Sequence, residues 1–320
     1  MQNKYKISVV IPTLGREKNL ISTLKDLAKQ NLNSDFWECL IITQTKFSDR
    51  FLSEITTSGI KNLRIFFLEE PNASLARNIG LKEAKFDIVL FLDDDIIIEN
   101  NQFLNNHLSN YDKNPNLCGV FGQVLSVERK KRNERHKLSR NLDYGWLYFP
   151  PNFNKPCKTR NGASCNLSVI QKYAVSVGGM DANYVKGAHR EETDFCLRLT
   201  KKYGLMNFDP EASLIHIGEP TGGVRSWGYN AGVHPMHHIT GEWYFILNGL
   251  FRYKTIKFYH LHHHIFQILW RQIFNISNLK KIYPVFIAAG KSFAGFFKAL
   301  KIAVNKPQLY CENVNYEVIK

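Results

Sequence analysis

The sequence predicts an α/β domain built on a mostly parallel sheet and followed by a helical extension. Short apolar runs, rich in β-branched and aromatic residues, alternate with stretches of helical spacing, as in strands joined by right-handed crossovers. One run, Ile88–Leu92, is apolar throughout, as suits a strand buried on both faces. Beyond His234 the chain turns to aromatic and basic residues at helical spacing.

Taken in order, residues 6–13 form a strand that stops just after Pro12, and Leu14, Gly15 and Arg16 make a loop. Residues 19–30 carry Leu20, Leu24 and Leu27 at helical spacing. Strands follow at 39–43 and 63–68, then a helix over 74–84. Asn72 or Ser74 caps that helix and sets Arg77 one turn in. The strand Ile88–Leu92 runs into Asp93, Asp94 and Asp95. Further strands are expected at 118–124 and 213–216, with an amphipathic helix beginning near 190.

The chain of 320 residues, 44% hydrophobic and 22% charged, buries a sizeable core in one large domain or two smaller ones, which excludes a disordered protein. Its six cysteines form no C-x-x-C pair, so neither a zinc nor a disulfide framework is expected. The polar N-terminus lacks a signal-peptide apolar region, and the expected location is cytoplasmic, peripheral on the inner face of the cell membrane. Net charge is +14, and residues 241–320 hold 11 Lys+Arg against 3 Glu. Such an excess suits nucleic acid, an anionic membrane surface or phosphorylated substrates.

In parallel sheets ligands bind beyond the carboxyl ends of the strands, and Thr13, Arg16 and the three aspartates all fall at that edge. Three carboxylates at a buried strand end need compensation, and oxygen ligands suit a hard divalent cation such as Mg2+ or Mn2+. The plainer alternative is an acidic surface turn.

Three blocks sharpen this: Ser8-Val9-Val10-Ile11-Pro12-Thr13; Asn72 with Ala76-Arg77-Asn78 and Gly80; and Phe91-Leu92-Asp93-Asp94-Asp95. In that order and spacing the chain resembles the family 2 glycosyltransferases of GT-A fold over roughly its first two-thirds. The resemblance implies a Rossmann-like sheet, a nucleotide-diphosphate sugar donor (UDP-, dTDP- or GDP-linked), a glycan or lipid-linked acceptor, a divalent metal (Mn2+ or Mg2+), and inversion at the anomeric carbon. It places Asp93 and Asp95 as a D-x-D pair, with Asp95 the metal ligand. Pro12, Thr13, Arg16, Arg77, Asn78, Asp93 and Asp94 fall where the family contacts the nucleotide. The chain departs from the family's acidic turn after the second strand, carrying Thr43-Gln44-Thr45-Lys46 there, which leaves the base of the donor open.

Residues 161–168, with Gly162 and Ala163, resemble the stretch that lines the donor sugar, and Gly178-Gly179-Met180-Asp181 resembles the Gly-Gly-x-Asp ending that follows. Glu191, Glu192 and Asp194 open a helix, where the macrodipole alone would favour acids. The family's acidic block falls here, making Glu192 the catalytic base, Glu191 an adjacent candidate, and Asp194 a supporting acid on the donor and acceptor side. His216 is a further candidate metal ligand, and Arg225 is expected to meet the diphosphate. The alternatives are a nucleotidyltransferase, or a non-catalytic protein binding nucleic acid or an anionic surface. The acids at 93–95 argue against a phosphate-backbone groove, so no nucleic-acid partner is expected.

The basic run 129–137 reads as a solvated face, and the aromatics of 144–150 as core. The chain is expected to divide into a catalytic domain, 1–233, and a helical region, 234–320. Seven of the 11 histidines lie between His234 and His264 without a clear metal spacing. The helical region is read as a membrane-interface element, a cap on the catalytic domain or an oligomer contact.

Overall fold

The computed structural model describes residues 4–127, 150–186, 189–219, 221–223, 234–310, 312 and 314–320. The basic run 129–137, most of the aromatic stretch 144–150 and Arg225 lie outside the described residues.

The first half is β1 (Ile7–Thr13), α1 (Glu17–Ala28), β2 (Trp37–Thr43), α2 (Asp49–Thr56), β3 (Leu63–Phe67), α3 (Ala73–Glu83) and β4 (Ile88–Leu92). Here the parallel expectation holds, with β3-β2-β1-β4 all in one direction. Side chains alternate as a doubly covered sheet requires. Val9, Ile11, Leu90 and Leu92 join one core with Leu20 and Leu24 of α1, while Val10, Val89 and Phe91 join another with Leu75 and Ile79 of α3. Strand β2 starts earlier than its apolar run because Glu38 is buried, accepting from Ser8 Oγ at 2.7 Å and paired with Arg64 at 2.9 Å.

Beyond β4 come β5 (Ile96–Ile97), α4 (Phe103–Lys113), β6 (Gly119–Ser126), β7 (Cys157–Thr159), β8 (Asn166–Ile170), α5 (Gln171–Ser176), α6 (Glu191–Tyr203) and β9 (Met206–His216). The sheet becomes mixed: β8 runs antiparallel to both β4 and β6, and with β10 (Glu317–Val318) from the end of the chain the order reads β10-β3-β2-β1-β4-β8-β6-β9-β5, with β7 on β9. Sequence spacing assigns no element to 103–113. That helix forms by packing Phe103, Leu104 and Leu108 on the sheet, with His107 buried between Ser168 and Asn166 at 3.0 and 2.9 Å.

Then follow α7 (Met236–Leu247), α8 (Leu261–Gln267), α9 (Ile276–Leu279), α10 (Tyr283–Val304) and β10 (Glu317–Val318). A third core joins Tyr184 and Leu197 to Tyr244, Phe245, Leu250 and Ala299, so the helical region shares its packing with the sheet-bearing part of the chain. Region 234–320 is not helical to its end. Its last residues return to pair β10 with β3, and the Tyr316 hydroxyl donates to Glu83 at 2.5 Å.

Helix α10 is packed in an unusual sense. Its buried positions are the small residues Ala288, Ser292, Gly295 and Ala299, set against α7, where Trp243 Nε1 donates to Ser292 Oγ at 3.2 Å. Its large residues face outward: Phe286 is 70% exposed and Phe293 69%. Trp270, Ile276 and Ile282 are also exposed. Among the described residues no helix is long and apolar enough to cross a membrane.

Candidate active site

A cleft of about 240 Å³ opens at the carboxyl ends of β1 and β4. Pro12, Thr13, Arg16, Arg77, Asp93, Asp94, Glu191 and Glu192 line it, so eight of the residues singled out from sequence meet on one surface.

Asp95 lies beneath that surface. It directly precedes β5, which pairs antiparallel with the end of β9 so that Ile96 faces His216. This register brings His216 Nε2 to 3.3 Å from Asp95 Oδ1 and 3.6 Å from Asp93 Oδ2. The ligand atoms of Asp93, Asp95 and His216 all lie within 4.8 Å of one another. Asp95 Oδ2 is engaged by Arg16 at 3.1 Å and by the Glu219 amide at 2.9 Å. Its buried Oδ1 has no hydrogen-bond partner among the described residues. An unmet carboxylate oxygen beside a second carboxylate and an imidazole is a donor set that fits a divalent cation.

Charge in this corner is finely opposed. Burial works against ionisation of Asp93, but the adjacent His216 imidazole and the Arg77 guanidinium outweigh it and hold its carboxyl below the usual range. Burial pushes Asp94 up to about 6, against the Thr13 hydroxyl donated at 2.7 Å and the Arg16 guanidinium at 3.1 Å. Burial lowers His216, but the neighbouring Asp93 and Asp95 carboxylates prevail and raise it to about 10.

Arg16 lines the cleft with most of its donors already used. Beyond Asp94 and Asp95 it donates to the carbonyls of Thr221 at 3.0 Å, Gly222 at 3.1 Å and Glu219 at 3.3 Å. Gly222 and Gly223 make that approach feasible. Both have positive φ, and a Cβ on either would fall within 2.8 Å of the Arg16 side chain.

The two glutamates separate in role. Glu191 is buried, accepting from the Ser74 hydroxyl and the Arg77 guanidinium, which also reaches Asp93 at 3.0 Å. Burial pushes its carboxyl up to about 7, against Arg77 and Ser74. Glu192 is half-buried on the cleft wall, and its Oε2 accepts from the Ser164 amide at 3.0 Å and hydroxyl at 2.8 Å.

Four expected contacts fall elsewhere. Asn78 does not line the cleft, because its amide is spent on the Met180 backbone, donating at 2.7 Å and accepting at 2.8 Å. Asp194 turns into the protein onto Arg198 at 2.8 Å, whose guanidinium also clasps the Val177 and Gly179 carbonyls. Gly162 packs on Phe121, where a Cβ would lie 2.9 Å from Cγ, and Ala163 packs against the same core. The residue of this loop that reaches the cleft is Ser164, which the small-polar character of 161–168 signalled only as a stretch. His189 and Arg190 also line the cleft without any prior signal. Both are set by Glu242 of α7, which accepts from Arg190 Nε at 2.8 Å and lies 2.9 Å from His189 Nε2.

Residues 8–175 match the model of Glycosyl transferase family 2. The chain belongs to that family. Its fold is GT-A, with a C-terminal helical region, and it is a glycosyltransferase by family. It is 30% identical over 130 residues to the poly(ribitol-phosphate) β-N-acetylglucosaminyltransferase TarP of Staphylococcus aureus, covering 40% of this chain and 39% of that one. It is 26% identical over 140 residues to a dolichyl N-acetyl-α-D-glucosaminyl phosphate 3-β-D-2,3-diacetamido-2,3-dideoxy-β-D-glucuronosyltransferase of Methanococcus voltae, covering 41% and 43%. The matched part thus spans under half the length of these curated relatives. Among solved structures, the mannosyltransferase PcManGT of Pyrobaculum calidifontis, in complex with GDP-Man and Mn2+, superposes with a TM-score of 0.56 at 12% identity, over 94% of this chain and 81% of that one. At that identity the likeness speaks to fold.

Proposed function

We propose that this family 2 member is an inverting, metal-dependent transferase. It moves a sugar from a nucleotide diphosphate to a hydroxyl of a glycan or lipid-linked acceptor in surface polysaccharide assembly. The observation that carries this reading is the meeting of a half-buried Glu192 with Asp93 on one cleft wall, Asp93 being joined beneath it by Asp95 and His216. Asp93, Asp95 and His216 would hold Mn2+ or Mg2+, which when bound neutralises charge on the leaving diphosphate. Pro12, Thr13 and Asp94 border the nucleotide. Arg16 acts mainly by holding the acids and the carbonyls of Glu219, Thr221 and Gly222 in place, and Arg225 would add a cation to the diphosphate.

Glu192 is the base. Ser164 fixes Oε2 and leaves Oε1 to take the acceptor proton as the acceptor oxygen attacks the anomeric carbon. The bond to the diphosphate breaks on the opposite face, inverting the centre and releasing a nucleoside diphosphate. Glu191 stays with Arg77 and Ser74 and positions Arg77.

In the same reading the reaction runs at an anionic membrane surface. Residues 243–311 contain ten Lys+Arg and no acid, and the outward aromatics of α10 lie in the same stretch. Apolar side chains ringed by cations fit the interface of an anionic bilayer.

A thermal-shift panel of UDP, GDP, dTDP and CDP, with and without Mn2+, tests the donor reading. One nucleotide should stabilise the chain in a metal-dependent way; no shift from any would remove it. A nucleotidyltransferase would instead release pyrophosphate during turnover.

A further inference from the structure

A second cavity, about 650 Å³, lies on the other side of His189 and Arg190, which line both. Its remaining wall comes from the helical region, including His234, His238, Glu242, Trp270, Arg271 and Gln272.

Its charge is unbalanced. Glu242 is the one acid lining it, and that carboxylate is already matched by Arg190 and His189. Arg271 is exposed and makes no salt bridge among the described residues. The rings of His189 and His238 stack at 4.9 Å, with His234 at 6.2 Å from His238. Burial and the neighbouring histidines push His238 down to about 3, so the positive charge of this cavity comes from its arginines.

Two buried acceptors are also unmet. Glu242 Oε1 and Gln272 Oε1 have no hydrogen-bond partner among the described residues. Each wants a donor, which a phosphate ion at neutral pH supplies poorly and a hydroxyl supplies well. Trp270 and Ile276, which also line the cavity, are exposed apolar side chains.

We propose that this cavity is the acceptor subsite and recognises an organic phosphate ester bearing free hydroxyls, with the phosphoryl group at Arg271 and the hydroxyls on Glu242 and Gln272. The assignment rests on the glycosyltransferase reading and names the chemistry of its acceptor. The ester has two sources, a lipid headgroup or a water-soluble polyol phosphate.

Calorimetric titration of the full chain with sn-glycerol 1-phosphate, glycerol and inorganic phosphate tests it. Glycerol phosphate should bind more tightly than either fragment. Arg271→Ala should weaken it about tenfold or more, as loss of a charge-assisted bond implies, with Arg271→Lys between the two. Lys61→Ala removes a like charge that pairs with Asp35 just before β3 and does not line the cavity, and should leave binding unchanged. No binding of glycerol phosphate, equal binding of glycerol, or equal loss in Lys61→Ala would overturn the proposal. Phosphatidylglycerol vesicles that displace glycerol phosphate assign the ester to a lipid, whereas vesicles that bind without displacing it assign it to a soluble acceptor. The same wild-type chain titrated with nucleoside diphosphate and Mn2+ separates the two readings. Nucleotide binding without glycerol phosphate binding overturns the subsite alone, and the converse removes the donor reading while leaving a phosphate-ester site.

Discussion

Ser164 holds Glu192 at two points, its amide 3.0 Å and its hydroxyl 2.8 Å from the same carboxylate oxygen. The hydroxyl is thus a positioning group for the proposed base. Ser164→Ala should lower kcat about tenfold while leaving nucleotide affinity within about twofold, since one of two bonds survives. Glu192→Gln should lower kcat by about 10² to 10⁴ at unchanged nucleotide affinity. Near-normal turnover in Glu192→Gln would remove Glu192 as the base.

The Asp95–His216 contact leads to a metal prediction. Asp95→Asn should abolish the Mn2+-dependent part of nucleotide stabilisation, and His216→Gln should diminish it. Retained metal dependence in both would mean that the ion, if any, is held elsewhere.

Arg77 bridges Glu191 and Asp93 in a buried setting. Arg77→Met leaves Glu191 buried without its cation and should cost about 3–5 kcal/mol in urea unfolding. Adding Glu191→Gln should recover much of that loss, because the orphaned charge goes. A double variant no more stable than Arg77→Met would show that Arg77 acts through packing instead.

The outward residues of α10 separate stability from docking. Phe293→Ser and Phe297→Ser should leave the melting temperature nearly unchanged, because both side chains are already exposed. Each should weaken cosedimentation with phosphatidylglycerol vesicles by about tenfold, the scale of a lost apolar burial. Vesicle binding that is unchanged, together with a dimer that the variants dissociate, would reassign this face to a contact between copies of the chain.

His107 provides the acid-side test. Burial presses its imidazole from 6.5 to about 4, opposed by the bond to Asn166. The unfolded chain therefore takes up this proton first as pH falls. Stability is lost between about pH 6.5 and 4, by at most about 1.4 kcal/mol per pH unit from this group. His107→Gln should flatten that slope relative to wild type; an identical slope would mean that His107 does not titrate there.

The strand runs were legible because period-two alternation and unbroken apolar stretches follow directly from which faces of a sheet are buried. The acids at 93–95 and at 191–192 were legible as acidic blocks, and the cleft brings Asp93, Asp94, Glu191 and Glu192 together. Helix α4 and strand β8 were not, because His107, Asn166 and Ser168 satisfy one another across 59 and 61 residues of chain and look polar when read alone.

Local sequence thus determined the order of strands β1 to β4, the acidic strand end and the basic, aromatic character of residues 243–311. Tertiary structure alone decided which polar groups face the cleft. Asn78 and Asp194 carry the right chemistry but are consumed by Met180 and Arg198, whereas Ser164, His189 and Arg190 are delivered to the site by a loop and by Glu242 of a helix some fifty residues away. Hydrogen-bonding capacity is finite, and only the fold says where each donor and acceptor has been spent.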